Sequence, residues 1–290
     1  MNKFGRRTFL KNSALSLAPL ASSVYGRDAG SDHLKNIGVQ LYTVRRTIGK
    51  DPAAILASIQ DEGYSEVEAI YTTVPAILPA LQQTKLKPVS VHVEYDIFNG
   101  SGEHNTVLEN VKKWGFEYIV PPSMKPAQKN SLDAFKPEIA KLNKAGEQAK
   151  KMGLNLCYHN HAFEFQPLGG TSPLELLIRE SDPGLVSLET DVFWVSVAGQ
   201  DPAEFIKRHS GRVALLHLKD KVKGLTPRFN QDVPKDAFKE VGSGSIDFKA
   251  VLRAATDAGV KHFFVEQDET ARNPLSSLEM SYKYLHHLSF

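Results

Sequence analysis

The chain has 290 residues, 41% hydrophobic and 23% charged, with a formal net charge of +2. That composition excludes a fibrous or low-complexity chain. The length suits two average domains or one α/β barrel of about 250 residues. With one cysteine, Cys157, no intrachain disulfide is possible. Set in an apolar run, Cys157 reads as a small buried hydrophobe rather than a nucleophile.

Residues 1–26 read as an export signal rather than fold. Arg6-Arg7-Thr8-Phe9-Leu10-Lys11 is a twin-arginine pattern, and an apolar stretch over 15–21 and small residues follow. That stretch is shorter than the about 20 residues that span a bilayer, and no cysteine follows it to carry a lipid. Cleavage and export to the periplasm by the Tat route are expected, with no stable membrane anchor. The segment holds Lys3, Arg6, Arg7 and Lys11 and no acid. The remainder then carries 31 basic and 33 acidic residues, and its net charge is −2. A near-neutral chain lacks the basic footprint of a nucleic-acid binder.

In chain order, 37–42 is a first strand. Asp51-Pro52 opens a helix that stops near Gly63, with Asp as cap and Pro at the first helical position. Residues 67–70 form a strand, 75–83 a helix, and 88–93 a third strand tipped by His92. A helix over 106–114 ends at Gly115, and the short strand 118–120 is stopped by Pro121-Pro122. A long helix over 133–152 stops at Gly153. The stretch 154–165, reading LNLCYHNHAFEF, begins as a buried strand. A helix over 173–179 and a strand over 186–190 follow. Asp201-Pro202-Ala203-Glu204 is a capped helix start, and 213–218 is the seventh strand. The polar stretch 221–245 shows no regular pattern, and such a length is usually functional. A helix over 247–258, a strand over 262–265 and a helix over 276–286 complete the chain. Eight strands alternating with helices predict a parallel sheet closed into a single-domain (β/α)₈ TIM barrel over residues 27–290. An open doubly wound sheet is the rival, but no Gly-x-Gly-x-x-Gly follows the first strand.

The strand ends carry the chemistry. His159, Asp191, His217 and Glu266 each follow a separate apolar run. In a barrel such ends converge on one face. Neutral imidazoles with carboxylates suit Mn, Co, Zn or Fe(II) better than Mg or Ca. His161, two residues beyond His159, is the other imidazole that this strand offers as a ligand. A metal with open positions polarises a carbonyl, and a nearby base then takes the proton beside it. Glu266, His161 and Glu164 are the candidate bases. Glu68, His92, Trp194, Lys219 and Asp220 are candidates to bind a polyol. Gly242-Ser243-Gly244-Ser245 reads as a turn into the next helix, with an anion cradle as the alternative.

Five motifs together resemble the xylose-isomerase-like superfamily of sugar phosphate isomerases and epimerases, from about Ile37 to the C-terminus. They are Tyr158-His159-Asn160-His161-x-Phe163-Glu164-Phe165, Glu189-x-Asp191-x-Phe193-Trp194, His217-x-Lys219-Asp220, Val241-Gly242-x-Gly244-x-Ile246-Asp247-Phe248 and Val265-Glu266-Gln267. The resemblance implies a metal set of Glu, Asp, His and Glu. Asp191, His217 and Glu266 match three of these positions, and His159 stands where a glutamate is expected. The Tyr-His-Asn-His form is more similar to the inosose dehydratase and 3-keto-glycoside lyase branches, where a keto group acidifies the neighbouring C–H. The expected function is a divalent-metal-dependent isomerase or epimerase acting on an unphosphorylated or keto sugar. A lyase or hydratase acting on 3-keto-glycosides or inososes is the alternative. A non-catalytic carbohydrate-binding barrel and a barrel endonuclease are the readings from other classes, and the charge opposes the second. The expected partner is a small sugar, with homo-oligomerisation open.

Overall fold

A computed structural model describes residues 1, 33–99, 102–126 and 128–290. The export signal expected over 1–26 lies, apart from Met1, outside the described residues. Eight parallel strands close into a barrel: β1 (Gly38–Gln40), β2 (Glu66–Ile70), β3 (Lys87–His92), β4 (Tyr118–Val120), β5 (Asn155–His159), β6 (Val186–Asp191), β7 (Val213–Leu218) and β8 (His262–Val265). Closure is direct, because β1 pairs with β2 on one side and β8 on the other. The surrounding helices are α1 (Pro52–Glu62), α2 (Val74–Leu81), α3 (Gly102–Lys113), α4 (Lys136–Lys151), α5 (Pro173–Glu180), α6 (Val192–Val197), α7 (Pro202–Arg208), α8 (Phe248–Ala258) and α9 (Pro274–His287).

The local signals act as the sequence predicts at several helix ends. Asp51 caps α1 by accepting the Ala54 N–H at 3.0 Å, and Gly63 ends it at φ 112°. Asp201 and Asp247 cap α7 and α8 in the same way. Three expectations need correction. The first strand stops at Gln40, whose side chain accepts the Tyr42 N–H and turns the chain into a 3₁₀ turn over Leu41–Val44. Helix α6 is unforeseen, because the Asp191 carboxylate accepts the N–H groups of Phe193 and Trp194 and converts strand directly into helix. The stretch 221–245 is not wholly irregular: Lys221 and its neighbour Asp220 pair antiparallel with Phe238–Lys239.

Two hydrophobic regions hold the barrel. The larger lies between sheet and helices and joins Val39, Val67, Ile119, Leu156 and Leu216 to Leu56, Ile59, Val251 and Leu252. The smaller includes Val120, Cys157, Leu215 and Phe264, which fill the barrel interior. Cys157 is fully buried there. Phe264 fits because β1 carries Gly38: a Cβ at that position would lie 2.5 Å from the Phe264 ring. The apolar plug closes the barrel beneath the polar side chains at its C-terminal end, with Phe264 against His217. Register shifts precede Glu68 in β2 and Glu189 in β6, and such bulges re-aim side chains beside a site.

Gly38→Ala is expected to destabilise the protein by about 1–3 kcal/mol through overpacking against Phe264. Urea midpoints check this, and Phe264→Leu in the same chain should recover part of the loss. An unchanged midpoint for Gly38→Ala would contradict the packing described.

Candidate active site

Alternation along each strand places its last polar residues inside the barrel mouth. Glu189 and Asp191 on β6, His217 and Lys219 on and after β7, and Glu266 after β8 all lie on this inner register, each at most 6% exposed. Asp191, His217 and Glu266 each offer a ligand atom within 4.8 Å of the others. Three of the four metal candidates are therefore brought together. His159 touches them through Asp191, with Nε2 3.8 Å from Oδ2. It also enters a second group, in which His92, His159, Glu189 and His217 offer atoms within the same distance. Its Nδ1 lies 3.0 Å from Glu189 Oε2, and His92 Nε2 lies 2.7 Å from the same oxygen. His217 joins the two groups, with Nδ1 2.8 Å from Glu266 and Nε2 3.4 Å from Glu189, and Nε2 also lies 2.5 Å from Glu68.

Charges are unevenly held. Burial opposes charge on His217, but Glu189, Glu68 and Glu266 outweigh it and raise its pKa well above the ordinary value. Burial likewise opposes charge on His92, yet Glu68 and Glu189 push it up to about 10. His159 is held well below its usual range by burial and the neighbouring imidazoles. Burial, then Lys219, brings His161 down to about 3. Burial raises Glu189, with Glu68 adding to it, and burial also raises Asp191. Burial would raise Glu266 too, but Lys219 and His217 overcome it and lower its pKa.

Lys219 is buried, not a solvent-facing residue. Its Nζ lies 2.9 Å from Asp191 Oδ2, 2.6 Å from Glu266 Oε2 and 2.8 Å from Asp268 Oδ1. Lys219 Nζ is the nearest donor to Asp191 Oδ2, which makes no other hydrogen bond. Glu189 Oε1 and Glu68 Oε2 are buried without a donor. Orphaned carboxylate oxygens beside imidazole nitrogens fit a divalent cation, which would replace the proton on the ligating imidazole nitrogen.

The mouth opens into a cavity of about 460 Å³ whose wall includes His92, His159, His161, Trp194, Lys219, Glu266 and Asp268. His161 faces Trp194 at 5.4 Å between ring centroids. Three sequence candidates lie elsewhere. Glu68 is fully buried beneath the cavity, accepting from Gln40 Nε2 at 2.7 Å and paired with both His217 and His92. Glu164 is fully buried away from the wall, accepting from the Tyr158 hydroxyl and the His161 N–H. Asp220 accepts the backbone N–H groups of Gly242, Gly244, Ser245 and Ile246. The Gly-Ser-Gly-Ser stretch does cradle an anion, and the anion is this carboxylate. A Cβ on Gly244 would strike it.

Sequence reasoning missed two residues. Glu189 carries the contacts of His92 and His159, and its place two residues before Asp191 was the available signal. Asp268 stands two residues after Glu266 and lines the cavity, but it follows the strand, where alternation is no guide.

Residues 105–284 match the family model described as xylose isomerase-like TIM barrel. The chain belongs to this family. It is 32% identical over 154 residues to an inosose dehydratase from Geobacillus thermodenitrificans, a match covering 50% of this chain and 51% of that protein. The chain thus spans about half the length of the curated relatives it matches. The fold is shared with a sugar phosphate isomerase/epimerase from Parabacteroides distasonis at TM-score 0.74 and 24% identity, covering 93% of this chain and 98% of that one. It is also shared with the E. coli 3-keto-D-glucoside 4-epimerase at TM-score 0.63 and 17% identity, covering 86% and 98%. The IolI protein, solved with a bound zinc atom, has the same fold at TM-score 0.66 and 17% identity, covering 86% and 95%.

Burial raises Glu164 to about 7, well above its ordinary 4.5. The native state therefore keeps this proton longer than an unfolded chain does. The group's contribution to stability is full below about 4.5, declines as pH rises toward about 7, and is level above it. Glu164→Gln should flatten the fall of the urea midpoint across that window. Parallel wild-type and variant curves would contradict the assignment.

Proposed function

We propose that the protein is a divalent-metal-dependent enzyme that removes a proton beside the carbonyl of an unphosphorylated keto sugar. The product is an isomer, an epimer or a dehydrated sugar. One observation carries this reading: Asp191, His217 and Glu266 converge beneath a polar cavity at the C-terminal face of the barrel. The inosose dehydratase relatives and the sugar isomerase and epimerase folds support the same class. The zinc of the IolI protein supports a metal.

In this reading Asp191, His217 and Glu266 hold the ion, with His159 beside Asp191. When bound, the ion polarises the sugar carbonyl as a Lewis acid. Mn, Co, Zn and Fe(II) suit the donors. Glu68 accepts from His217 Nε2 and fixes the ring so that Nδ1 faces Asp191 and Glu266. Gln40 in turn fixes Glu68.

Asp268 is the proposed base. Burial raises it to about 6 against the pull of Lys219, which suits a proton acceptor working near neutral pH. The Lys219 ammonium holds Asp268 Oδ1 and steadies the carboxylate in place. Neutral His161 and the Trp194 ring form the opposing wall for the sugar. Of the bases expected from sequence, Glu164 is removed by its burial, Glu266 is occupied as a ligand, and His161 is too weakly basic for the role. A substrate without phosphate is favoured by the export pattern at Arg6-Arg7, because sugar phosphates are scarce outside the cytoplasm. The twin-arginine pattern at Arg6-Arg7 places the enzyme, in this proposal, in the periplasm.

Metal depletion with a chelator should abolish turnover of keto sugars, and Co or Mn should restore it. Full activity in protein shown by elemental analysis to be metal-free would overturn the proposal. Asp268→Asn should lower kcat by about 10²–10⁴-fold with little change in bound metal. Wild-type kcat/KM should rise with pH through about 6 as Asp268 loses its proton. Glu266→Gln separates an enzyme from a binding barrel, because an enzyme loses turnover and a binder keeps much of its sugar affinity.

A further inference from the structure

Lys219 and Lys221 are two residues apart, and their surroundings are opposite. The Lys219 ammonium is clamped by three carboxylates. Lys221 is only 9% exposed, yet its Nζ has no hydrogen-bond or ion-pair partner among the described residues. The acid that acts on it is Asp220, and Asp220 is already spent on the backbone. Its two oxygens accept the N–H groups of Lys221, Gly242, Gly244, Ser245 and Ile246. Burial therefore lowers the Lys221 pKa, against the opposing pull of Asp220. A buried ammonium with no anion beside it is costly to keep charged.

The Lys221 side chain lines a cavity of about 450 Å³ that shares no wall residue with the barrel mouth. This cleft lies between the corner joining α6 to α7, the loop arm at Leu225 and Pro227, and the start of α8. We propose that it is a second ligand site, in which the Lys221 ammonium binds the carboxylate of a small polyhydroxy acid. The proposal is independent of the reaction assigned to the barrel mouth.

The walls select that chemistry. The volume falls within the about 300–1,000 Å³ of small-molecule sites and exceeds what a lone inorganic anion fills. Lys221 is the one cation on the wall, and it matches a single negative charge. Asp201 and Asp247 also line the cleft. Each uses Oδ1 to cap its own helix, at 3.0 Å from the Glu204 N–H and the Ala250 N–H, and each keeps Oδ2 as an acceptor. Two carboxylates repel a phosphate dianion more than a carboxylate, and they accept from hydroxyls. Ser196 and Gln200 add a hydroxyl and an amide, while Pro202, Leu225, Pro227 and Val251 give the carbon chain an apolar wall.

The cleft is also held in shape. Lys221 pairs with Phe238 across the two-stranded ribbon, and its carbonyl accepts from the Ser245 N–H and hydroxyl at 2.9 Å each. The Arg228 N–H donates to the Val197 carbonyl at 3.0 Å, which ties the loop arm to α6. Groups already fixed lose little freedom on binding.

The test is calorimetric titration of the full-length protein with D-gluconate, D-glucitol and inorganic phosphate. Glucitol is a comparable polyol chain without the carboxylate. Gluconate should bind at a single site, glucitol should give no saturable binding, and phosphate should bind more weakly than gluconate. Lys221→Met keeps the apolar stem and should weaken gluconate binding about tenfold or more with an unchanged urea midpoint. A second measurement uses wild type alone, so it decides the matter whether or not the variant folds. Gluconate should slow reductive methylation of Lys221 by formaldehyde and cyanoborohydride, read by peptide mass, and leave the exposed Lys223 and Lys249 unaffected. Absence of saturable gluconate binding, equal affinity in folded Lys221→Met, phosphate binding as tightly as gluconate, or unchanged methylation of Lys221 would each overturn the proposal.

Discussion

The structure depends on how the barrel mouth accommodates buried acids. Glu68, Glu189 and Asp191 are fully buried, and Glu266 is 6% exposed. Asp268 adds a fifth carboxylate on the same cations. Isolated charges of this kind cost far more to bury than a folded domain can tolerate. Three cationic groups offset them: His217 and His92, held protonated by the carboxylates, and Lys219, clamped by three of them. The cluster persists because each charge has a partner. It is not complete, since Glu68 and Glu189 each keep a buried oxygen without a donor. A divalent ion is the group that such oxygens, set beside imidazoles, are suited to hold.

The backbone delivers these groups in two ways. Strand alternation sends Glu189 and Asp191 inward from β6, His217 from β7 and Glu266 from the end of β8, and the apolar plug around Phe264 sets the floor on which they meet. Local breaks in regularity then aim them. Bulges stand just before Glu68 and Glu189. Asp191 is turned by its own cap, spending Oδ1 on the first turn of α6 and leaving Oδ2 toward Lys219 and His217. One carboxylate thus ends a strand, starts a helix and faces the cluster. Asp220, next to Lys219, does the opposite service: it ties down the loop through Gly242 and Gly244, and so supports the cavity without touching it.

Much of this was legible in the residues. Alternation of apolar runs with capped helices gave the eightfold barrel, because those signals are local. The convergence of Asp191, His217 and Glu266 was legible because a barrel brings strand ends together whatever their separation. The failures have a common cause. Glu68, Glu164 and Asp220 carry the same chemistry as residues on the cavity wall, and only tertiary contacts decide which carboxylates reach it. Asp220 finds four backbone N–H groups more than twenty residues away, which no spacing rule reveals. Lys219 was legible only as a polyol-binding candidate; its clamp by Asp191 at the end of β6 and by Glu266 and Asp268, both just past β8, depends on tertiary contacts that no spacing shows. Asp268 lies past the end of its strand, where neither alternation nor helical period applies.

The claim on which the mechanism stands is where the ion sits. His217 belongs to two groups of ligand atoms, so two positions compete: one bounded by Asp191 and Glu266, the other by His92, His159 and Glu189. Anomalous diffraction at the cobalt edge, from crystals grown with Co, distinguishes them directly. The account predicts one strong peak within ligand distance of Asp191, His217 and Glu266. A peak held by His92 and Glu189 instead, or no ordered peak in the barrel mouth, would contradict it.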